Sequence, residues 1–198
     1  MHTSAVNLLT GIIASFAAGM VINLIVGIGA DRGVATLIAI TAIDFALLTI
    51  FKERISFNTR MLIYFLIGVA LAGVFFFVRY FANGLIVTIT APRGISDYIV
   101  YFINVVILIP LFEEITVRKL LFMGASHYIG PIFSALAVSV AFAITHKGMF
   151  IFAFIFSIAM CLMTWKGVNT YNRAILHGSY NGALATLWII SGTNIVSP

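Results

Sequence analysis

The residues of this chain best suited to chemistry lie inside three otherwise apolar stretches. These stretches contain the segments LFEEITVRKLL, FAITH and LHGSYNGAL. Their polar or aromatic motif positions are, in chain order, Glu113, Glu114, Arg118, Phe142, His146, His177 and Asn181. Each segment holds a pair of residues spaced four apart, and this spacing puts both side chains of the pair on one face of a helix.

These side chains have the types needed for hydrolysis by an activated water. Carboxylates and imidazoles are common proton-transfer groups. Imidazole and amide side chains also carry N–H groups, which can stabilise the oxyanion of a tetrahedral intermediate. Serine catalysis is less favoured, because Ser179 has no identified acid–base relay.

Structural interpretations compete with this one. Glu114 and Arg118 have the spacing of an intrahelical ion pair that neutralises itself, and a single intramembrane His is more often a hydrogen-bonded packing residue than a catalyst. Glu113 differs, because the third and fourth positions after it are Thr116 and Val117 rather than cations. It therefore requires a partner from another helix or a proton, which favours a site.

The composition indicates that these residues lie in a membrane. Of the 198 residues, 62% are hydrophobic and only 9% are charged, and the mean hydropathy is +1.15. A soluble domain of this length could not bury so much apolar surface, so soluble enzymes, nucleic-acid-binding modules and disordered tails are excluded. The net charge of +5 comes from dispersed Lys and Arg, which is typical of topology signals and headgroup contacts.

Seven apolar stretches predict an all-α polytopic membrane bundle of about seven transmembrane helices, and we interpret residues 1–198 as one membrane domain. The stretches run over Val6–Gly29, Val34–Phe51, Met61–Val78, Tyr98–Phe122, Pro131–Thr145, Met149–Trp165 and Ala174–Ser191. Residues 79–97 either extend the third helix or lie in the interface. At a rise of about 1.5 Å per residue, the three polar segments reach compatible depths and can converge.

The distribution of basic residues predicts that the N-terminus is cytoplasmic. Seven Lys and Arg lie in the loops after the second, fourth and sixth stretches, and four lie in the loops after the others. The polar segments then converge between the middle of the membrane and its cytoplasmic face.

Local features predict close helix packing around the polar segments. Pro110 has no N–H to donate to the Val106 carbonyl, so it should kink or loosen the fourth helix. Gly178 and Gly182 form a GxxxG pair that allows a neighbouring backbone to approach. Asp44, which lies alone in the second stretch, is interpreted as structural, either paired with an unidentified group or protonated.

The motifs EExxxR, FxxxH and HxxxN, in this order on three membrane helices, resemble the CPBP family, the CAAX-processing and bacteriocin-processing proteins also called Abi. The resemblance covers about residues 98–190, which we interpret as a catalytic core within the membrane domain. It implies an intramembrane glutamic protease whose cavity opens to the cytosolic leaflet. Under this resemblance Glu113 and His146 would activate water, and His177 and Asn181 would stabilise the oxyanion.

The same resemblance implies supporting roles for three residues. Arg118 would hold Glu114 and the local helix geometry, and Phe142 would line the site. Metal-independent catalysis without a cofactor is favoured over a zinc site, although two His and one Glu would complete a zinc ligand set. The chain has no HExxH motif, and its only cysteine, Cys161, excludes a cysteine metal cluster.

The expected partners are membrane lipids and a peptide or lipidated protein substrate, with no nucleic acid. The compact length favours a bacterial plasma-membrane protein that processes peptides. The alternative is a non-catalytic membrane immunity or scaffold protein of the same family. The sequence leaves the natural substrate and the oligomeric state open.

Overall fold

The computed structural model describes residues 2–51, 59–83, 94–146 and 149–191, and seven helices account for nearly all of these. In chain order the helices are α1 (His2–Gly27), α2 (Arg32–Ile50), α3 (Arg60–Asn83), α4 (Ile95–Ile129), α5 (Pro131–Thr145), α6 (Phe150–Trp165) and α7 (Thr170–Ile190). The described ranges contain no strand. The predicted all-α bundle of about seven helices is confirmed.

The observed bounds differ from the predicted spans mainly in α3 and α4. Helix α3 continues to Asn83, so residues 79–83 extend the third helix, while residues 84–93 lie outside the described ranges. Helix α4 is 35 residues long and ends at Ile129 rather than at Phe122. It ends there because Gly130 has a φ of 76° and Pro131 begins the next helix.

The helices have the lengths and surfaces expected in a bilayer. Within the described residues, α1 to α4 are long and apolar enough to cross a membrane, and α5 and α6 are shorter apolar helices. Large apolar side chains point outward, for example Phe16 and Met20 of α1, which are each 72% exposed. Such exposure is costly in water but suits a surface that contacts lipid.

Helix α4 is the centre of the bundle and contacts α1, α2, α5, α6 and α7. Two of its segments, Asn104–Leu108 and Glu114–Phe122, are π-helical. The first ends just before Pro110, which confirms that this proline loosens the helix. The second begins at Glu114, so the backbone is also irregular where the acidic pair lies.

Glycines let α7 lie unusually close to its neighbours. A Cβ added at Gly178 would overlap the Val106 carbonyl oxygen of α4, and one at Gly182 would lie 2.9 Å from Val106 Cγ2. On the α3 side, a Cβ at Gly68 would overlap the Ser179 hydroxyl. The close approach predicted from the glycine pair is therefore confirmed, and α7 is held between α3 and α4.

We expect Gly178→Ala to destabilise the fold by about 1–3 kcal/mol, because the new methyl group must displace the α4 backbone. Gly19→Ala is the matched control, since a Cβ at Gly19 of α1 meets nothing within 4 Å and alanine favours the helix by up to about 1 kcal/mol. The free energy of unfolding in detergent micelles measures both. Equal stability of the two variants would contradict the close packing.

Candidate active site

Glu114 is fully buried and is held by groups from two helices. The Arg173 Nε of α7 donates to its Oε2 at 3.0 Å, and the His177 Nδ1 lies 3.2 Å from its Oε1. Arg118, one turn along α4, is farther away, with its Nε 3.8 Å from Oε1. The predicted ion pair between Glu114 and Arg118 is confirmed, but Arg173 makes the shorter contact.

Arg173 is the site residue that the sequence analysis missed, because it was counted among the loop cations. It lies on α7 with only 3% of its surface exposed. A signal was present: Arg173, His177 and Asn181 follow one another at intervals of four, which places all three on one helix face. The HxxxN motif is therefore extended by one turn toward the start of α7.

His177 lies between the two carboxylates. Its Nε2 is 3.5 Å from Glu113 Oε2, and its Nδ1 faces Glu114. A carboxylate flanked by guanidinium groups accepts hydrogen bonds, so Nδ1 carries a hydrogen and Nε2 is directed at Glu113. Glu113 and His177 can then share one proton, either as carboxylic acid and imidazole or as carboxylate and imidazolium.

His146 ends α5 with its imidazole held in one orientation. Its Nδ1 lies 2.8 Å from the Phe142 carbonyl oxygen, and its ring centroid lies 4.3 Å from that of Phe142. When Nδ1–H donates to this carbonyl, the lone pair of Nε2 is available to accept a proton or a hydrogen bond. The backbone of α5 thus selects the tautomer that general-base chemistry requires.

Phe142 joins the His146 end of the site to the buried Arg118. The Arg118 guanidinium carbon lies 4.3 Å from the Phe142 ring centroid, a cation–π contact. None of the three Arg118 guanidinium nitrogens has a hydrogen-bond partner among the described residues. The aromatic face is therefore the main contact of this cation apart from Glu114.

Three of the predicted polar residues line one cavity, whose volume is about 110 Å³. His146, His177 and Asn181 line it together with Phe142. Aromatic side chains form much of the remaining wall, namely those of Tyr101, Phe152, Phe156, Tyr180 and Trp188. The cavity therefore combines imidazole and amide groups with a largely apolar wall, as ligand sites commonly do.

The structure brings the predicted residues together in two linked sets. His146, His177 and Asn181 share the cavity, whereas Glu113 and Glu114 are reached through His177. Glu113 is 17% exposed, does not line the cavity, and forms no hydrogen bond or ion pair with His146. The Asn181 Nδ2 donates to the Val105 carbonyl oxygen at 3.3 Å.

Asp44 lies outside this arrangement. Its side chain is buried in α2, with 3% exposed, and neither carboxyl oxygen has a hydrogen-bond partner among the described residues. No described cation pairs with it. Of the two states considered from the sequence, the protonated one fits such surroundings better, because an isolated carboxylate is strongly disfavoured there.

We expect Arg173→Gln to destabilise the protein by about 3–5 kcal/mol, because it leaves the buried Glu114 carboxylate without its direct partner. The double variant Arg173→Gln/Glu114→Gln should not recover this loss, since removing Glu114 leaves the buried Arg118 without its carboxylate partner. Arg32→Gln, at the exposed start of α2, is the control and should change stability by less than about 0.5 kcal/mol. Unfolding in mixed micelles measures all three, and equal losses in Arg173→Gln and Arg32→Gln would contradict the pairing.

Comparison with known proteins agrees with this arrangement. Residues 95–183 match the family model described as type II CAAX prenyl endopeptidase Rce1-like. This range contains all seven motif positions identified above. Searches of curated proteins and of solved structures gave no match. Through this helical core, residues 95–183 are similar to the CAAX-type intramembrane proteases, which supports the resemblance to the CPBP family.

Proposed function

We propose that the chain is a metal-independent intramembrane endopeptidase in which Glu113 and His146 activate water. The observation that carries this proposal is the position of His177, which lines a cavity with His146 and Asn181 and also contacts both carboxylates. His177 thus links Glu113, which does not line the cavity, to the cavity that holds His146. The family match supports proteolysis at a coarser level.

In the proposed reaction, His146 orients the water through its Nε2 lone pair. Glu113 takes a proton from this water as the oxygen attacks the carbonyl carbon of the peptide bond. The same proton passes from Glu113 to the leaving nitrogen when the C–N bond breaks, so the products are a carboxylic acid and an amine. Glu113 is suited to this role because it is partly exposed and forms no ion pair with an arginine that the structure describes.

The proposed oxyanion donors are the side chains of His177 and Asn181. In the resting site the Nε2 of His177 faces Glu113 at 3.5 Å. Protonation of Glu113 during attack weakens this attraction, so an Nε2–H can turn to the developing oxyanion at that moment. Asn181 would exchange its 3.3 Å bond to the Val105 carbonyl for the same oxyanion.

Glu114, Arg118 and Phe142 are proposed to act as supporting residues. Glu114 fixes the tautomer of His177 through Nδ1. Arg118 contributes positive charge beside Glu114 and contacts the ring of Phe142, whose carbonyl orients His146. Glu114 and Arg118 position the groups that contact the substrate, whereas Phe142 also lines the cavity itself.

The proposed substrate is a membrane-associated peptide or a lipidated protein segment. The aromatic wall of the cavity favours an apolar residue beside the cleaved bond. At about 110 Å³ the cavity is smaller than the roughly 150 Å³ void that holds one benzene molecule. It therefore suits the reacting peptide bond and a side chain, and any attached lipid would lie outside it.

We expect an integral protein of the bacterial plasma membrane with its site toward the cytoplasm. The structure changes the count of loop cations from which the orientation in the membrane was predicted. Arg118 and Arg173 are buried and are not loop signals, so the count of seven against four falls to five against four. The cavity residues Tyr101 and Trp188 lie near the start of α4 and the end of α7, on the face opposite the start of α1. A cytoplasmic opening of this cavity would therefore place the N-terminus outside, contrary to the orientation predicted from the sequence.

Glu113→Gln and His146→Ala should each reduce cleavage by a factor of about 10² or more, because each removes a group that activates water. Since the substrate is unidentified, membrane proteomics of cells that carry wild-type or variant protein measures cleavage as the ratio of intact to shortened peptides. Unchanged thermal midpoints of the purified variants provide the folding control. Retained biological function in both folded variants would favour the alternative, a non-catalytic immunity or scaffold protein.

A second experiment tests the alternative that catalysis depends on zinc. A zinc site would use the Nε2 atoms of His146 and His177, because their Nδ1 atoms face the Phe142 carbonyl and Glu114. The substrate is the intact form of a peptide that the proteomic comparison shows to be cleaved. We expect exhaustive chelation to leave its cleavage by the purified protein unchanged. Loss of cleavage on chelation and its recovery with added zinc would overturn the metal-independent mechanism.

A further inference from the structure

A second polar cavity lies at the end of the bundle where α6 ends and α3 and α7 begin. Its volume is about 340 Å³, within the range of about 300–1,000 Å³ that is typical of small-molecule sites. The site residues described above do not line it. Trp165, exposed and directly beside the cavity residue Lys166, marks the level at which aromatic side chains meet headgroups.

Two cations from different helices face this cavity. Arg60 is the first residue of α3, and Lys166 directly follows α6. Both are exposed, and neither forms an ion pair with a residue that the structure describes. The lining contains no acidic residue within the described ranges, so the cavity is electropositive and suited to an anion.

The floor of the cavity contains a buried group without a partner. Asn172 is only 5% exposed and lines the cavity, yet its Oδ1 has no hydrogen-bond partner among the described residues. Its backbone N–H is already used, since it donates to the side chain of Asn169, the N-cap of α7, at 2.7 Å. An unpaired buried acceptor calls for a donor such as a hydroxyl group. The cavity thus offers two cations for an anion and one acceptor for a hydroxyl.

We propose that this cavity binds the headgroup of an anionic phospholipid that carries a hydroxyl group, as phosphatidylglycerol does. Arg60 and Lys166 would contact the phosphate, and Asn172 Oδ1 would accept from the headgroup hydroxyl. Because the cavity lies at the end of the bundle beside α3 and α6, whose large apolar side chains are exposed, the acyl chains can remain in the bilayer. A free phosphate could also contact the cations, but it has no acyl chains to hold it at the bilayer surface.

The bound headgroup would also be connected to the carboxylate site. Val168 lines the cavity, and its carbonyl oxygen accepts a hydrogen bond from Arg173. The same arginine donates to Glu114 at 3.0 Å. A lipid that orders the turn between α6 and α7 would therefore stabilise the Arg173 position. The binding proposal itself does not depend on proteolysis, so its test is independent of the proposed enzyme activity.

The test is thermal unfolding of the full-length protein in micelles of a neutral detergent with increasing amounts of added lipid. Phosphatidylglycerol should raise the unfolding midpoint at a lower mole fraction than phosphatidylcholine does. Arg60→Gln/Lys166→Gln should require roughly tenfold more phosphatidylglycerol for the same shift. Arg32→Gln removes an exposed cation at the opposite end of the bundle and should leave the response unchanged.

Two further arms separate the lipid from its parts. Asn172→Ala should reduce the preference for phosphatidylglycerol over phosphatidylmethanol, which has the same phosphodiester charge but no headgroup hydroxyl. Inorganic phosphate alone should not reproduce the shift, and if it did the lipid assignment would be wrong. An equal response of wild type and the double variant, or equal shifts with phosphatidylglycerol and phosphatidylcholine, would overturn the proposal.

Discussion

The buried carboxylate of Glu114 is the constraint on which the rest of the site depends. A charge at this depth costs several kcal/mol unless other groups pair with it. The pairing comes from Arg173 and His177 on α7 and from Arg118 on α4 itself. Because two of these partners belong to α7, the charge can be satisfied only when α7 lies in one register against α4. The electrostatic requirement therefore fixes the relative position of the two helices.

The backbones of α7 and α4 can approach closely enough for this register only because glycines of α7 have no side chain at the contact. Gly178 is adjacent to His177 in sequence and brings the α7 backbone against the Val106 carbonyl. That carbonyl is free to be approached because Pro110, four residues later, has no N–H to offer it. Val106 itself lies inside the first π-helical segment of α4, Asn104–Leu108. The glycine, the proline and the helix irregularity thus serve one purpose, which is close contact between two helices that carry charged groups.

The sequence indicated the parts of the site that follow from spacing along one helix. The residue pairs spaced four apart, the glycine pair and the effect of Pro110 could all be predicted from the sequence. Contacts between helices could not be predicted, because they depend on how each helix is rotated about its axis and shifted along its neighbour. Arg173 illustrates the difference: it stands near the predicted start of a span, where a cation is ordinarily a topology signal. Its spacing of four from His177 was a sequence signal that this position outweighed, and its burial beside Glu114 identifies it as part of the site.

The two adjacent glutamates differ for the same geometrical reason. Successive residues of a helix point in directions about 100° apart, so Glu113 and Glu114 cannot face the same partners. Glu114 points at the arginines, whereas Glu113 is partly exposed and, among the described residues, pairs with the Nε2 of His177. Glu114 therefore serves as the counter-charge of Arg118 and Arg173 and links α4 to α7. Because those arginines are engaged by Glu114, its neighbour is left for the proton transfer of the proposed reaction.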